Sequence, residues 1–361
     1  MSAMAYAQYP SLRDRVVFIS GGSSGIGAEL VRAFARSRLA EMPDFAEAAR
    51  ARWLRWYCEL AMQVGFCWYD LSQLDRLDPE HANLYEAIRW AFDSKHYRAT
   101  IDLIEGVRYY YNVRGFWDDR LMINAMRVEA ARALGDHANE ALGLAFDVEI
   151  LSKQGQLSEA QPLLDRLNEL ADDPGFSGDV RFEIGHAQAL HARAAGDLPR
   201  AEAIWRAMLP ITAALAAQKS IVNRRWLAIA RYEQGDVPGA LALFHDSLAD
   251  ARAHNDMRSV LGNTLKIASI AIEQGDLAGA TAALDECRAG AEQLRDRRRL
   301  SELNRLSARV YHAQGDLAGV GTALNQAIDL FRRMGMHRDL AAAERELEEL
   351  TAGERSLQKG S

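Results

Sequence analysis

Small and large apolar residues recur through the second half of the chain in three columns that share one origin, a glycine. The glycines are Gly155, Gly196, Gly235, Gly275 and Gly315, stepping by 41, 39, 40 and 40 residues. Seven residues before them stand Val148, Ala189, Ala228, Ala268 and Ala308. Five residues after them stand Ala160, Ala201, Ala240, Ala280 and Val320, and nine after them Leu164, Trp205, Phe244, Leu284 and Leu324. Two small columns let a pair of antiparallel helices approach closely, and the larger side chain a turn further on fills the gap between neighbouring pairs. A hairpin of this kind cannot bury its apolar face alone and must stack on copies of itself.

The strings around the glycines predict the turns. Ala195-Gly196-Asp197-Leu198, Gln234-Gly235-Asp236-Val237, Gln274-Gly275-Asp276-Leu277 and Gln314-Gly315-Asp316-Leu317 repeat one design, with Gln154-Gly155-Gln156-Leu157 as a degenerate copy. Glycine takes the left-handed conformation that ends the first helix. The following aspartate caps the second, and Pro199 and Pro238 fall in its first turn, where a missing N–H costs little.

Upstream, Gly135-Asp136 separates a helix around Asp118 to Leu134 from one around His137 to Gln154. Amphipathic stretches precede them around Ala49 to Cys67, Pro79 to Ser94 and His96 to Asn112. Arg338 to Leu350 reads as a closing helix. The expected division is a strand–loop–helix fragment at 1–40, a helical lead-in at 46–136, repeats at 137–350 and a disordered tail at 351–361.

Composition narrows the function. The 361 residues are 49% hydrophobic and 26% charged, with a formal net charge of −7. That balance suits a globular protein and supplies no chain-wide positive field for nucleic acid. Cys58, Cys67 and Cys287 are odd in number and form no Cys-x-x-Cys pair, which argues against a disulfide framework or a zinc site. No secretory signal or membrane-length apolar run is visible, so a cytoplasmic protein with no membrane partner is expected. The histidines are scattered; His186 and His191 lack a His-Glu-x-x-His frame, and no metal is expected. The run Arg295-Asp296-Arg297-Arg298-Arg299 falls at a join between repeats and reads as a solvated loop, with an anion or acidic-partner contact as the alternative.

The small–glycine–small–large spacing resembles the tetratricopeptide repeat, in the longer form found in bacterial signalling proteins. The expected fold is all-α, a right-handed superhelical solenoid of helical hairpins with a period of about 40. A second resemblance rests on Arg52, Trp56-Tyr57, Arg114-Gly115-Phe116-Trp117 and Glu80-His81-Ala82-Asn83-Leu84-Tyr85-Glu86-Ala87, followed by Trp90. These look like the opening of the sensor array in multidomain bacterial signalling ATPases. No Gly-x-x-x-x-Gly-Lys-Ser/Thr string occurs, so the chain resembles the sensor region without the ATPase part.

The N-terminus differs in kind. Val16-Val17-Phe18-Ile19 reads as a strand, followed by Ser20-Gly21-Gly22-Ser23-Ser24-Gly25-Ile26-Gly27 and a helix from about Ala28 to Arg38. This resembles the cofactor loop of a short-chain dehydrogenase, in which Gly21, Gly25 and Gly27 would let the backbone approach a pyrophosphate. The family's Tyr-x-x-x-Lys pair is absent, as none of the eleven tyrosines has a lysine four residues on. Met42 to Glu47 offers no second strand. The loop is therefore expected to be vestigial, with no catalytic residue, no cofactor and no enzymatic activity.

In the tetratricopeptide family the first helix of each repeat lines the concave face, through positions ten, six and three residues before the turn glycine. Carried over, these are His186, Leu190 and Arg193; Arg225, Ile229 and Tyr232; Leu265, Ser269 and Ile272; and Arg305, Arg309 and His312. The partner-binding candidates are accordingly His186, Arg193, Arg225, Tyr232, Arg305, Arg309 and His312. Four arginines and no acid in an acidic chain imply a groove for an acidic peptide or protein segment. The function implied is a non-enzymatic interaction module, a regulatory or sensor scaffold. The alternatives are a degenerate nucleotide binder acting through the glycine loop, or a fusion product with no ligand.

Overall fold

The computed structural model describes residue 41 and residues 43–65 and 71–357. The expected strand and the glycine loop with Gly21, Gly25 and Gly27 lie outside the described residues. By internal contacts the chain divides into two units, Met1–Trp56 and Tyr57–Ser361. In the first, the described residues form the opening turns of helix α1 (Pro43–Gly65). All that follows concerns the second.

The described residues of the second unit form helices joined by short turns and loops. Two 3-10 turns, Leu71–Arg76 and Asp78–Glu80, lead into α2 (His81–Asp93), α3 (Tyr97–Arg114), α4 (Trp117–Leu134) and α5 (His137–Gln154). Then come α6 (Leu157–Leu170), α7 (Gly178–Ala194), α8 (Leu198–Ala207), the short α9 (Leu209–Ala213), α10 (Ala217–Glu233) and α11 (Val237–Ala253). The array finishes with α12 (Met257–Glu273), α13 (Leu277–Leu294), α14 (Arg297–Ala313), α15 (Leu317–Arg333) and α16 (His337–Leu357). The last helix continues past Leu350, where the sequence suggested an end.

The hairpins form where the turns predict. Gly196, Gly235, Gly275 and Gly315 have φ of 87°, 91°, 81° and 78°, the left-handed region that a side chain would strain. Asp197, Asp236, Asp276 and Asp316 each accept the backbone N–H three residues on, at 2.9–3.1 Å. Asp136, Asp256 and Asp296 cap helices in the same way. Every residue of the three columns is buried, with Trp205 and Phe244 wholly so. Rings at such positions contribute on the order of 3–5 kcal/mol each. One repeat is interrupted. Its second helix stops at Ala207 and restarts as α9, with Pro210 near the new start, since proline disfavours helix in the residue before it.

The two ends of the array meet. Arg114 at the end of α3 donates to the Leu294 carbonyl at 2.8 Å, and Gln154 at the end of α5 reaches the Met334 carbonyl at 3.4 Å. Arg295 pairs with Asp78 at 2.8 Å, and the Arg297 guanidinium lies 4.9 Å from the centre of the Phe116 ring. Trp117 and Ile150 share an apolar cluster with Ile328, Phe331, Met334 and Met336. The concave face expected as a groove is therefore bounded where the two ends of the array touch.

Candidate functional site

The interior is lined by the first helix of each hairpin, α5, α7, α10, α12 and α14, completed by α3 and α4 where the ends meet. It holds a cavity of about 110 Å³ whose walls carry eight basic side chains and two carboxylates. A smaller cavity of about 40 Å³ shares Arg225, Trp226, Arg298 and Arg299 with it. An acidic protein thus has a basic interior.

On the wall built by α3, α5 and α7, with α4 beside it, every cation but Arg120 has a carboxylate partner. Arg108 lies 3.3 Å from Glu105 and 3.4 Å from Glu183, and Lys219 from α10 also pairs with Glu183. Arg127 donates to Glu105 at 2.8 Å and to Asn139 at 2.7 Å. Burial raises the Glu105 carboxyl, but Arg108 and Arg127 override it and hold the group down to about 2. Lys153 pairs with Glu149 one turn before it. Burial pushes this ammonium down to about 7, against the pull of Glu149. The Phe146 ring has the guanidiniums of Arg108, Arg120 and Arg127 at 4.9, 5.2 and 5.6 Å from its centre. A ring face of this kind is a weak anion surrogate. It partly serves Arg120, which is 3% exposed and whose Nη1 has no hydrogen-bond partner among the described residues.

An aromatic step joins the walls. Trp205 and Trp226 stack with centres 5.6 Å apart, and Trp205 Nε1 donates to His186 Nδ1 at 3.2 Å. Burial pushes the His186 ring down to about 4, so it stays neutral and serves as an acceptor.

On the wall built by α10, α12 and α14 the cations outnumber their partners. Arg258 pairs with Asp296 at 2.8 Å. Arg298 and Arg299 share Glu302, at 3.4 and 2.7 Å. Arg225 is 9% exposed and has no hydrogen bond or carboxylate within pairing distance among the described residues. Burial, then repulsion from Arg299, Arg258 and Arg298, pushes this guanidinium down to about 9.

The sequence-predicted residues divide. His186, Arg193 and Arg225 lie in the walls of the two cavities. Arg193 also forms a two-pronged pair with Glu233 and lies 5.6 Å from the centre of the Trp226 ring. Tyr232 donates to Glu273. Arg305 and Arg309 both donate to Glu346 of α16, at 2.5 Å each, and His312 is exposed. These last four do not line either cavity.

The stripe of ten, six and three residues before each glycine continues backwards to thirteen and seventeen. Those further positions hold Glu183, Arg258, Gly262, Arg298 and Glu302. One more turn of the same stripe would have found Glu183, Gly262 and Glu302, and a second turn Arg258 and Arg298. The run from Arg295 to Arg299, expected as a solvated loop, is corrected by the structure. Asp296 is fully buried and caps α14, and the first turn of that helix carries Arg298 and Arg299 into the interior.

No protein-family model matches the chain. Among solved structures it is similar to a Rap protein complexed with competence and sporulation factor, with a TM-score of 0.56. Identity is 14%, over 78% of this chain and 83% of that one. The likeness shows the fold. A signal-transduction ATPase with numerous domains and a tetratricopeptide-repeat sensor, from Pyrococcus horikoshii, aligns with a TM-score of 0.45. Identity there is 11%, over 80% of this chain and 50% of the other. A short N-terminal stretch is similar to a probable galactose dehydrogenase of Rhizobium meliloti (strain 1021), 53% identical over 62 residues. The match covers 16% of this chain and about a fifth, 22%, of the dehydrogenase. Among the described residues, no helix is long and apolar enough to cross a membrane.

Proposed function

We propose that the chain is a non-enzymatic interaction module, a regulatory or sensor scaffold that holds an acidic peptide segment in its interior. The observation that carries this reading is Arg225, a buried guanidinium with no anionic partner among the described residues, set in a cavity whose cations outnumber its carboxylates four to one. A buried, unpaired charge is costly and persists where a ligand completes it. His186 and Arg193 stand in the same walls. The Rap protein, similar in fold, was solved with a factor bound, which supports an interior able to receive one. The chain's own sequence resemblance, through Glu80 to Ala87 and Trp90, to the sensor part of signalling ATPases favours a regulatory setting.

A peptide array with wild type and Arg225→Glu tests the proposal. Wild type is expected to retain acidic sequences, increasingly so at low salt, and the variant to lose them. Equal binding by both proteins overturns it.

A second, separate reading concerns the N-terminus, because the likeness to a galactose dehydrogenase is local and high. We read that stretch, with Gly21, Gly25 and Gly27, as a remnant without turnover, since the Tyr-x-x-x-Lys pair is missing. Titration with oxidised and reduced nicotinamide cofactors is expected to show no micromolar binding. Such binding, lost in Gly25→Asp, would restore the nucleotide-binding alternative.

A further inference from the structure

The arginine wall has a shape and a charge count that say more about its occupant than acidity alone. Gly262 on α12 faces two guanidiniums. A Cβ built there would lie 2.3 Å from Arg225 Nη1 and 2.6 Å from Arg299 Nη2. The missing side chain lets both forks converge on one spot. Arg298 and Arg299 approach from α14, and Arg258 from the start of α12, held on Asp296. Arg299 Nε is buried with no hydrogen-bond partner among the described residues.

Around this spot stand five cations, Arg225, Arg258, Lys266, Arg298 and Arg299. The carboxylates that offset them are Asp256, Asp296 and Glu302. Asp339 of α16 also faces Arg298, with its carboxyl raised by burial. Five cations against four carboxylates leave the wall with a positive surplus, and Arg225 is the one without a carboxylate in pairing distance among the described residues. One carboxylate brings a single charge. A phosphoryl group brings about −1.5 to −2 near neutral pH and three acceptor oxygens, which suits several converging guanidinium forks.

Resting on the reading of the interior as a binding chamber, we infer that its arginine wall is a recognition site for a phosphate-class dianion, held by Arg225, Arg298 and Arg299 over Gly262. The group can arrive on a phosphorylated segment or as a small phosphate ester, and the binding chemistry is the same. The matched wall across the cavity, with Glu149 and Glu183, then faces the remainder of the ligand.

Two measurements test this on the full chain. In the first, thermal unfolding is followed in phosphate, pyrophosphate, acetate and chloride at equal ionic strength. Phosphate and pyrophosphate are expected to raise the midpoint above acetate and chloride in wild type. The increment should vanish in Arg225→Gln and in Gly262→Ala, and persist in Arg252→Gln, whose partner Glu286 belongs to an exposed pair. The alanine variant matters because it keeps every charge and only displaces the forks. In the second, an aspartate-rich peptide with a central phosphoserine is titrated beside its glutamate counterpart. The phosphopeptide is expected to bind at least about tenfold tighter, an advantage lost in Arg225→Gln. Tighter binding of pyrophosphate than of the phosphopeptide assigns the site to a small ester. Equal binding of the phosphoserine and glutamate peptides overturns the dianion inference and leaves the acidic-segment reading standing. No response to any of these anions or peptides overturns both.

Discussion

The wall formed by α3, α5 and α7, with α4 beside it, gives each of its cations a carboxylate or, for Arg120, the face of the Phe146 ring, whereas on the wall formed by α10, α12 and α14 Arg225 has neither among the described residues. Arg108 and Lys219 converge on Glu183, Lys153 sits on Glu149, and Arg127 holds Glu105. Opposite them Arg298 and Arg299 share a single glutamate, and Arg225 has no carboxylate within pairing distance among the described residues. Both walls are buried, so both meet the same desolvation cost. The first recovers it internally and the second leaves it outstanding. Stability therefore resides in the matched wall, and capacity for an anion in the other.

The comparison makes removal of charge from the two walls act with opposite sign. The largest effect is expected from Glu183→Gln, which leaves Arg108 and Lys219 buried without their shared partner. It should lower unfolding free energy by about 3–5 kcal/mol in urea titrations. A loss under about 1 kcal/mol would show that solvent already screens this wall, and the contrast would fall.

Arg225→Met is expected to do the reverse and stabilise the ligand-free protein by about 1–3 kcal/mol, since it removes a charge whose burial nothing repays. The sign follows from linkage. The guanidinium is pushed from its ordinary value down to about 9, so below that pH the folded state carries a protonated group it disfavours. A destabilised Arg225→Met protein would mean the two walls are alike.

The smallest effect concerns the step between the walls. His186 titrates at about 4 when folded, below its ordinary value of 6.5. Between those values the unfolded chain binds the extra proton, so stability is lost as pH falls from 6.5 towards 4, by on the order of 1–2 kcal/mol. Glu149 and Glu183 oppose the shift, and Lys153 and Lys219 reinforce it. Asp147, pushed up to about 7 by burial, acts in the other direction, so the informative quantity is a difference. The acid limb of wild type minus that of His186→Asn, whose amide oxygen can still accept from Trp205, should show the loss. Superimposable profiles would remove the imidazole from the account.

The architecture was largely legible because a hairpin array solves one packing problem repeatedly. Gly196 and Asp197 do the same work as Gly315 and Asp316, and a backbone requirement met several times leaves a period in the sequence. The interior was less legible. Its inward stripe is polar, so it lacks the hydrophobic signature that marks a buried face, and Arg298 and Glu302 look like surface residues until their helix is placed. Arg193 and Arg225 were found by extending a family rule, while Glu183 and Gly262 lay one turn beyond where it was applied. Contacts made only once leave no period at all, and so the meeting of Arg114 with the Leu294 carbonyl, or of Gln154 with that of Met334, had no precursor in the pattern.

That meeting changes how the molecule should come apart. In an open array each hairpin leans on its neighbours, the outermost have one neighbour each, and unravelling starts there. Here the outermost hairpins also lean on one another, through Trp117 and Phe331. Opening must first part that seam, and no hairpin is free to peel away beforehand. Amide hydrogens along α3 and α15 then exchange on a footing with those of α10, and the profile along the chain is a plateau rather than a slope falling towards either end.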